Sequence, residues 1–321
     1  MALSVEQFAG PLFVCICVAL ILFGVFTTQV YFYWGTYEED TTPMKFMVLS
    51  MWLLEAVHTV FCIDLMYQYF IRDFGNADAL DIVPWTVGGT VFLEITIVAM
   101  CQGFYIVRIW HLSHNNKLAT LVPTVTLACR LVFGLATGSL LYRFTKWDQF
   151  RQHKGPLATL NCGLALAAVV DLLCTLLLTY YLRQHRTSFR RTRRMVQTLI
   201  FYTVNTGALT MAFSVAILFM FNFVEGSLLF AGMVEIVSKL YANSAVAMIN
   251  ARQHIKNQSR GDGSLNTIPL SIRGPPSYGN NSETDRVRVA IFKDTITDTA
   301  PGGSMSTENG KESLKSGFNL A

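Results

Sequence analysis

The stretch from Gly226 to Arg252 constrains this chain more than any other. It reads GSLLFAGMVEIVSKLYANSAVAMINAR, an apolar run long enough at 1.5 Å per residue to cross a hydrocarbon core of about 30 Å. It also carries Glu235, Lys239, Asn243 and Asn250. At 100° per residue these four fall within one strip about 80° wide. A charged side chain at mid-bilayer costs roughly 2.5–3.5 kcal/mol on insertion scales, so the strip must face protein or water. One helix cannot shelter its own polar strip. A bundle must surround it.

The remaining sequence supplies that bundle. Only 14% of the 321 residues are charged and 52% are hydrophobic, whereas a soluble domain carries about a quarter charged. Apolar windows predict seven spans near 10–33, 46–70, 85–110, 119–142, 157–182, 197–222 and 227–250. Pro11, Pro84, Pro123 and Pro156 are read as helix starts, where a missing N–H is harmless. Trp34, Trp85 and Trp110 mark span ends, as interfacial aromatics do. The N-terminal MALSVEQF has no Lys or Arg and no cleavage site follows its apolar run, so it reads as a retained first span. All seven cysteines lie in or at the rim of apolar segments and read as small buried residues.

Lys and Arg in the flanks number 5 on the N-terminal side and 12 on the other. The positive-inside rule then places the N-terminus outside and the C-terminus in the cytosol. Arg143, Lys146, Arg151 and Lys154 in the fourth loop pull the other way. The expected organisation is a transmembrane domain over 1–252 and a disordered, Ser/Thr/Gly-rich cytosolic tail over 253–321. Within the tail, RVRVAIFKDTI (286–296) alternates like a strand, either as a docking segment or as disordered chain with β-propensity. Two glycosylation sequons, at Asn257 and Asn280, would on this topology never meet the glycosylation machinery.

The candidate site is a buried polar cluster of Glu55, His58, Glu94, Arg130, Asp171, Asn205, Glu235, Lys239 and Asn243. With Asp64 set aside as nearer a span end, four acids face two permanent bases and one histidine, so two acids must share a proton, touch water, use His58 or hold a raised pKa. The surplus either carries function or is a set of anchors that fix helix rotation. Glu55 and His58 stand at i and i+3. A metal site of that type needs a second Glu-x-x-His pair and extra carboxylates, and none exists. His58 is read as a helix-to-helix hydrogen-bonding group, with no metal and no cofactor expected. Glu235 and Lys239, at i and i+4, read as an intrahelical ion pair. The same spacing suits a retinal Schiff base and counter-ion, but the third span lacks the spaced aspartates of microbial rhodopsins.

The layout matches G-protein-coupled receptors, yet their motifs are absent: the third span ends YIVRIW, and the seventh has no Asn-Pro-x-x-Tyr. The loop RQHRTSFRRTRR carries Arg183, Arg186, Arg190, Arg191, Arg193 and Arg194. It sets topology, or it binds anionic lipid or a cytosolic protein, with the tail as a further contact. No G-x-S-x-G, phosphate-binding glycine loop or protease-type aspartate pair is present, so no enzyme activity is expected, and nothing supports nucleic-acid binding.

Several short signatures run along the chain in order. They are Glu55-Ala56-Val57-His58-Thr59, Phe74-Gly75-Asn76 before Pro84-Trp85, Arg108-Ile109-Trp110 and Phe189-Arg190-Arg191-Thr192. Tyr202-Thr203-Val204-Asn205-Thr206-Gly207, Lys239-Leu240-Tyr241-Ala242-Asn243-Ser244 and Asn250-Ala251-Arg252 complete the set. Over roughly 10–252 the chain thereby resembles a large fungal, mostly basidiomycete, family of seven-span membrane proteins designated domain of unknown function 6534. The resemblance implies the fold and the origin and transfers no active site. The expectation is an all-α, seven-transmembrane-helix bundle, receptor-like or sensor-like, with proton-coupled transport of a small solute as the alternative.

Overall fold

Apolar sequence without interior helix breakers becomes helix in a bilayer because every backbone N–H and C=O must find a partner within its own segment. A computed structural model describes residues 5–76, 79–184, 190–224 and 226–264. Eight helices occur among the described residues: α1 (Val5–Thr36), α2 (Thr42–Tyr67), α3 (Trp85–Leu112), α4 (Lys117–Arg143), α5 (Trp147–Gln152), α6 (Lys154–Gln184), α7 (Arg190–Phe223) and α8 (Leu229–Ser264). There are no strands among them.

Six stretches are long and apolar enough to cross a membrane: Phe8–Thr36, Thr42–Arg72, Trp85–Leu112, Lys117–Arg143, Lys154–Gln184 and Ile200–Phe223. Their outward faces carry large exposed apolar side chains such as Ile21, Phe46, Val60, Leu118 and Leu176, the surface of a multi-pass protein whose helices meet lipid. α8 is absent from this set because its polar residues lower its hydropathy. Those residues point inward: Glu235, Ser238, Lys239 and Tyr241 are all buried. α8 also runs on as helix past Arg252 to Ser264. Arg186 and the rest of 185–189, the strand-like 286–296 and the Asn280 sequon lie outside the described residues.

Long helices that neighbour one another in sequence pack together, and α8 closes the ring against α1, while α3 reaches across to α6 and α8. Small residues permit the closest approaches. A Cβ placed on Gly232 would lie 2.6 Å from Cys15 Cβ and 3.1 Å from the Leu12 backbone. Gly232→Ala is therefore expected to destabilise the bundle by about 1–3 kcal/mol through overpacking. Thermal melting of the detergent-purified variant checks this, and unchanged melting would refute so tight a seating of α1 on α8.

Helix starts differ from expectation at two prolines. α1 begins at Val5 and α4 at Lys117, so Pro11 and Pro123 fall inside their helices. α4 starts early because Asn116 caps it, its side-chain oxygen accepting from Leu118 N at 3.0 Å and Ala119 N at 3.3 Å.

The loop between α4 and α6 holds the helix that periodicity missed. α5 is six residues long, too short to register as an amphipathic pattern. It docks on the α2–α3 connection, where Val83 N donates to Thr145 O at 2.8 Å and Trp147 Nε1 to Tyr69 Oη at 2.8 Å. Trp147 and Phe150 are buried against Phe230 and Phe221. Arg151 donates to Val224 O at 2.8 Å, capping the end of α7. This end of the bundle is thus closed by a structured lid.

Candidate functional site

Two polar networks and three cavities occupy the interior among the described residues. In the first network, α8 presents Lys239 to α2. The Lys239 ammonium pairs with the Glu55 carboxylate and also donates to Thr59 Oγ1 at 2.9 Å and Glu55 O at 3.2 Å. The predicted intrahelical pairing with Glu235 is not what forms. α2 packs over Lys239 and offers a carboxylate, a hydroxyl and a carbonyl together, so the ammonium turns to that helix. Glu235 is satisfied from elsewhere: Thr90 Oγ1 donates to Oε1 at 2.8 Å and Cys62 Sγ to Oε2 at 3.1 Å. His58 joins the two halves, with Nδ1 3.2 Å from Lys239 Nζ and Nε2 3.3 Å from Glu235 Oε2. Because an ammonium only donates, Nδ1 accepts and the imidazole proton sits on Nε2, facing Glu235.

His58, Cys62 and Glu235 bring three ligand-type atoms within 4.8 Å of one another, and Cys62 shares the Glu55–His58 face of α2, as its spacing predicts. Each donor is already engaged in hydrogen bonding, and the Lys239 charge on the far side of the imidazole opposes a cation there. The residues fit a closed hydrogen-bonded network better than a metal centre.

The second network links α4, α6, α3 and α8. Tyr241 Oη donates to Asp171 Oδ2 at 2.6 Å and accepts from Arg130 Nη1 at 3.2 Å. Gln102 also donates to Asp171. The Arg130 guanidinium lies 5.2 Å from the Tyr241 ring centroid, a cation–π contact. Tyr241 and Gln102 are not among the cluster residues expected from the sequence. A glutamine in the third span was the available signal, since an amide in lipid needs a partner as a charge does.

Between these networks lies a cavity of about 80 Å³ bordered by α3, α4, α6, α7 and α8. Its walls are mostly Val, Ile and Leu, and its two charged members are Glu94 and Arg130. Both are only half-buried despite their interior position, because each borders this space. Thr137 and Ser214 also line it, but their hydroxyls donate to Phe133 O at 2.9 Å and Thr210 O at 3.1 Å. The Glu94 carboxylate takes part in no hydrogen bond or ion pair among the described residues, and Arg130 is the base that offsets its charge. A smaller cavity of about 40 Å³ adjoins it under the lid, sharing Val91, Thr137, Leu160 and Val234 and bordered by Glu235.

Two expected members of the cluster lie elsewhere. Asn205 is exposed. α7 turns Thr203, Thr210 and Ser214 inward, and position 205 lies about 200° from 203 on the helix, on the outer face. Asn243 faces α1, donating to Leu22 O at 3.0 Å and accepting from Gln29 Nε2 at 3.1 Å. With Asn250, which donates to Gln29 O at 2.9 Å, it fastens α8 to α1. Of the basic loop, Arg183 is exposed at the end of α6, and Arg190, Arg191, Arg193 and Arg194 fall in the first turns of α7.

No curated protein and no solved structure matches the chain. A family model described as a family of unknown function (DUF6534) matches residues 167–254. The matched segment takes in Asp171, Glu235, Lys239, Tyr241 and Asn243 and supports the resemblance read from the sequence signatures.

Proposed function

We propose that the chain is a receptor-like or sensor-like membrane protein of the fungal seven-span kind, with α8 as its seventh span. A small amphipathic molecule occupies the cavity beside Glu94 and Arg130. The observation that carries this reading is the unpaired Glu94 carboxylate facing a guanidinium across an otherwise apolar space. A polar group without a partner costs about 1–3 kcal/mol when fully buried and less at the half-burial of Glu94, and a ligand amine or hydroxyl would relieve that cost. A carbonyl or carboxylate on the same ligand would meet Arg130. Binding there draws on Arg130, whose other contact is Tyr241, so occupancy is felt by α8. The reading includes no catalytic step: Cys62 and His58 are adjacent, but none of the cavities described above reaches the thiol.

The test uses C4–C6 amphiphiles bearing an amine, a carboxylate or both. Members carrying both groups should raise the melting temperature of purified protein by several degrees at saturation. Glu94→Gln should blunt that response. A panel that leaves wild-type melting unchanged, or acts equally on the variant, counts against the reading.

The proposed orientation puts the N-terminus outside, with the loop 183–194 and the C-terminus in the cytosol. There the basic loop meets anionic lipid or a cytosolic protein. An epitope fused after Ala321 should be stained only in permeabilised cells, and staining of intact cells would reverse the topology. The second reading, proton-coupled transport, draws on Glu94 and Glu235 bordering adjoining cavities. It requires solute uptake that follows a proton gradient and fails in Glu94→Gln and Glu235→Gln at normal surface expression.

A further inference from the structure

We infer that a monovalent cation of sodium size binds beside Asp171, in the small cavity lined by α3, α6, α7 and α8. This site is separate from the space beside Glu94 and does not depend on the ligand reading above.

The cavity has a volume of about 20 Å³, enough for a single water-sized occupant. Asp171, at 3% exposure, supplies a carboxylate to its wall. Two further wall residues are unpartnered: Gln102 Oε1 and Tyr105 Oη are buried without a hydrogen bond, in side chains 1% and 8% exposed. Gln102 spends its amide N–H on Asp171, so what it turns to the cavity is a carbonyl oxygen. The threonines of α7 behave alike. Thr206 Oγ1 donates to Tyr202 O at 2.8 Å and Thr210 Oγ1 to Thr206 O at 3.2 Å, which leaves their lone pairs as the groups still available. Apart from the Tyr105 hydroxyl, which can donate as well as accept, the wall is therefore rich in acceptors whose own protons are committed. Such a surface repels an anion and attracts a cation or a water donating both its protons.

Charge decides between those two. Arg130 bears on both Glu94 and Asp171, so it offsets the Asp171 carboxylate only in part. A cation neutralises the remainder where a water cannot. A divalent ion is disfavoured because calcium sites gather several carboxylates and magnesium keeps its waters, whereas this wall has one carboxylate and room for one centre. Cys174 and Met248 are the soft donors at the wall and the remaining donors are oxygens, so the donor set suits a hard ion.

The experiment melts the purified full chain in detergent at fixed pH and ionic strength while sodium chloride replaces choline chloride up to about 150 mM. Sodium should raise the midpoint saturably by roughly 3–5 °C, with potassium less effective. Asp171→Asn should abolish the response, and Tyr105→Phe should shift its half-saturation to several-fold higher sodium. Equal melting of wild type in sodium and choline would mean that water alone occupies the cavity and overturns the proposal without any variant. A sodium response that persists unchanged in Asp171→Asn overturns it too.

Discussion

Replacing Lys239 with Met is expected to cost about 3–5 kcal/mol of stability, because it strands the Glu55 carboxylate without its counter-charge. Glu55 is 0% exposed and its Oε1 already has no hydrogen-bond partner, so no solvent can take up the released charge. Thr59 and the His58 imidazole lose a donor in the same step. The informative companion is Glu55→Leu/Lys239→Met, which removes both charges and should recover most of the loss, since paired buried ions replaced by apolar groups are often neutral. Glu235→Gln in the Lys239→Met background should recover little. That contrast separates a pair formed across helices from one formed along α8. Thermal melting and the yield of monodisperse protein in detergent read it out. Equal rescue by the two second substitutions would overturn the cross-helix assignment.

Arg130→Met is expected to have the next largest effect, about 3 kcal/mol. The guanidinium is the base that offsets both Glu94 and the Asp171–Tyr241 pair, so its removal leaves both acids without that counter-charge. Glu94→Gln in the same chain should restore part of the stability by removing one of them. Tyr241→Phe should cost less, about 1–2 kcal/mol, as it deletes two hydrogen bonds while leaving every charge in place. Should Arg130→Met melt like the wild type, the guanidinium does not compensate the acids and the charge balance given for this region is wrong.

The helical layout was legible in the sequence because lipid enforces a simple rule: apolar runs of sufficient length become spans. The inward strip of α8 was legible for the same reason. Pairing was not. Spacing places Glu235 one turn from Lys239, and only the packing of α2 onto α8 shows that Glu55 outcompetes it. Tyr241 looked like an ordinary aromatic of an apolar run, yet its hydroxyl joins Arg130 to Asp171. Asn205 sits in a conspicuous polar motif, and the rotation of α7, set by Thr203, Thr210 and Ser214, turns it outward. Six residues of α5 left no periodic signal, since their burial depends on Tyr69 and Phe230 from distant parts of the chain.

The seam between α1 and α8 bears on how the protein is made. Gln29 and Asn243 are 214 positions apart, so the first helix leaves the ribosome long before its partner exists. Until α8 has been made, the Gln29 amide and the cleft that will receive Lys239 have no final occupant. Closure of the ring is thus a late event with a large loop-closure cost. Chains truncated before residue 229 should be recognised as orphans and cleared by membrane quality control.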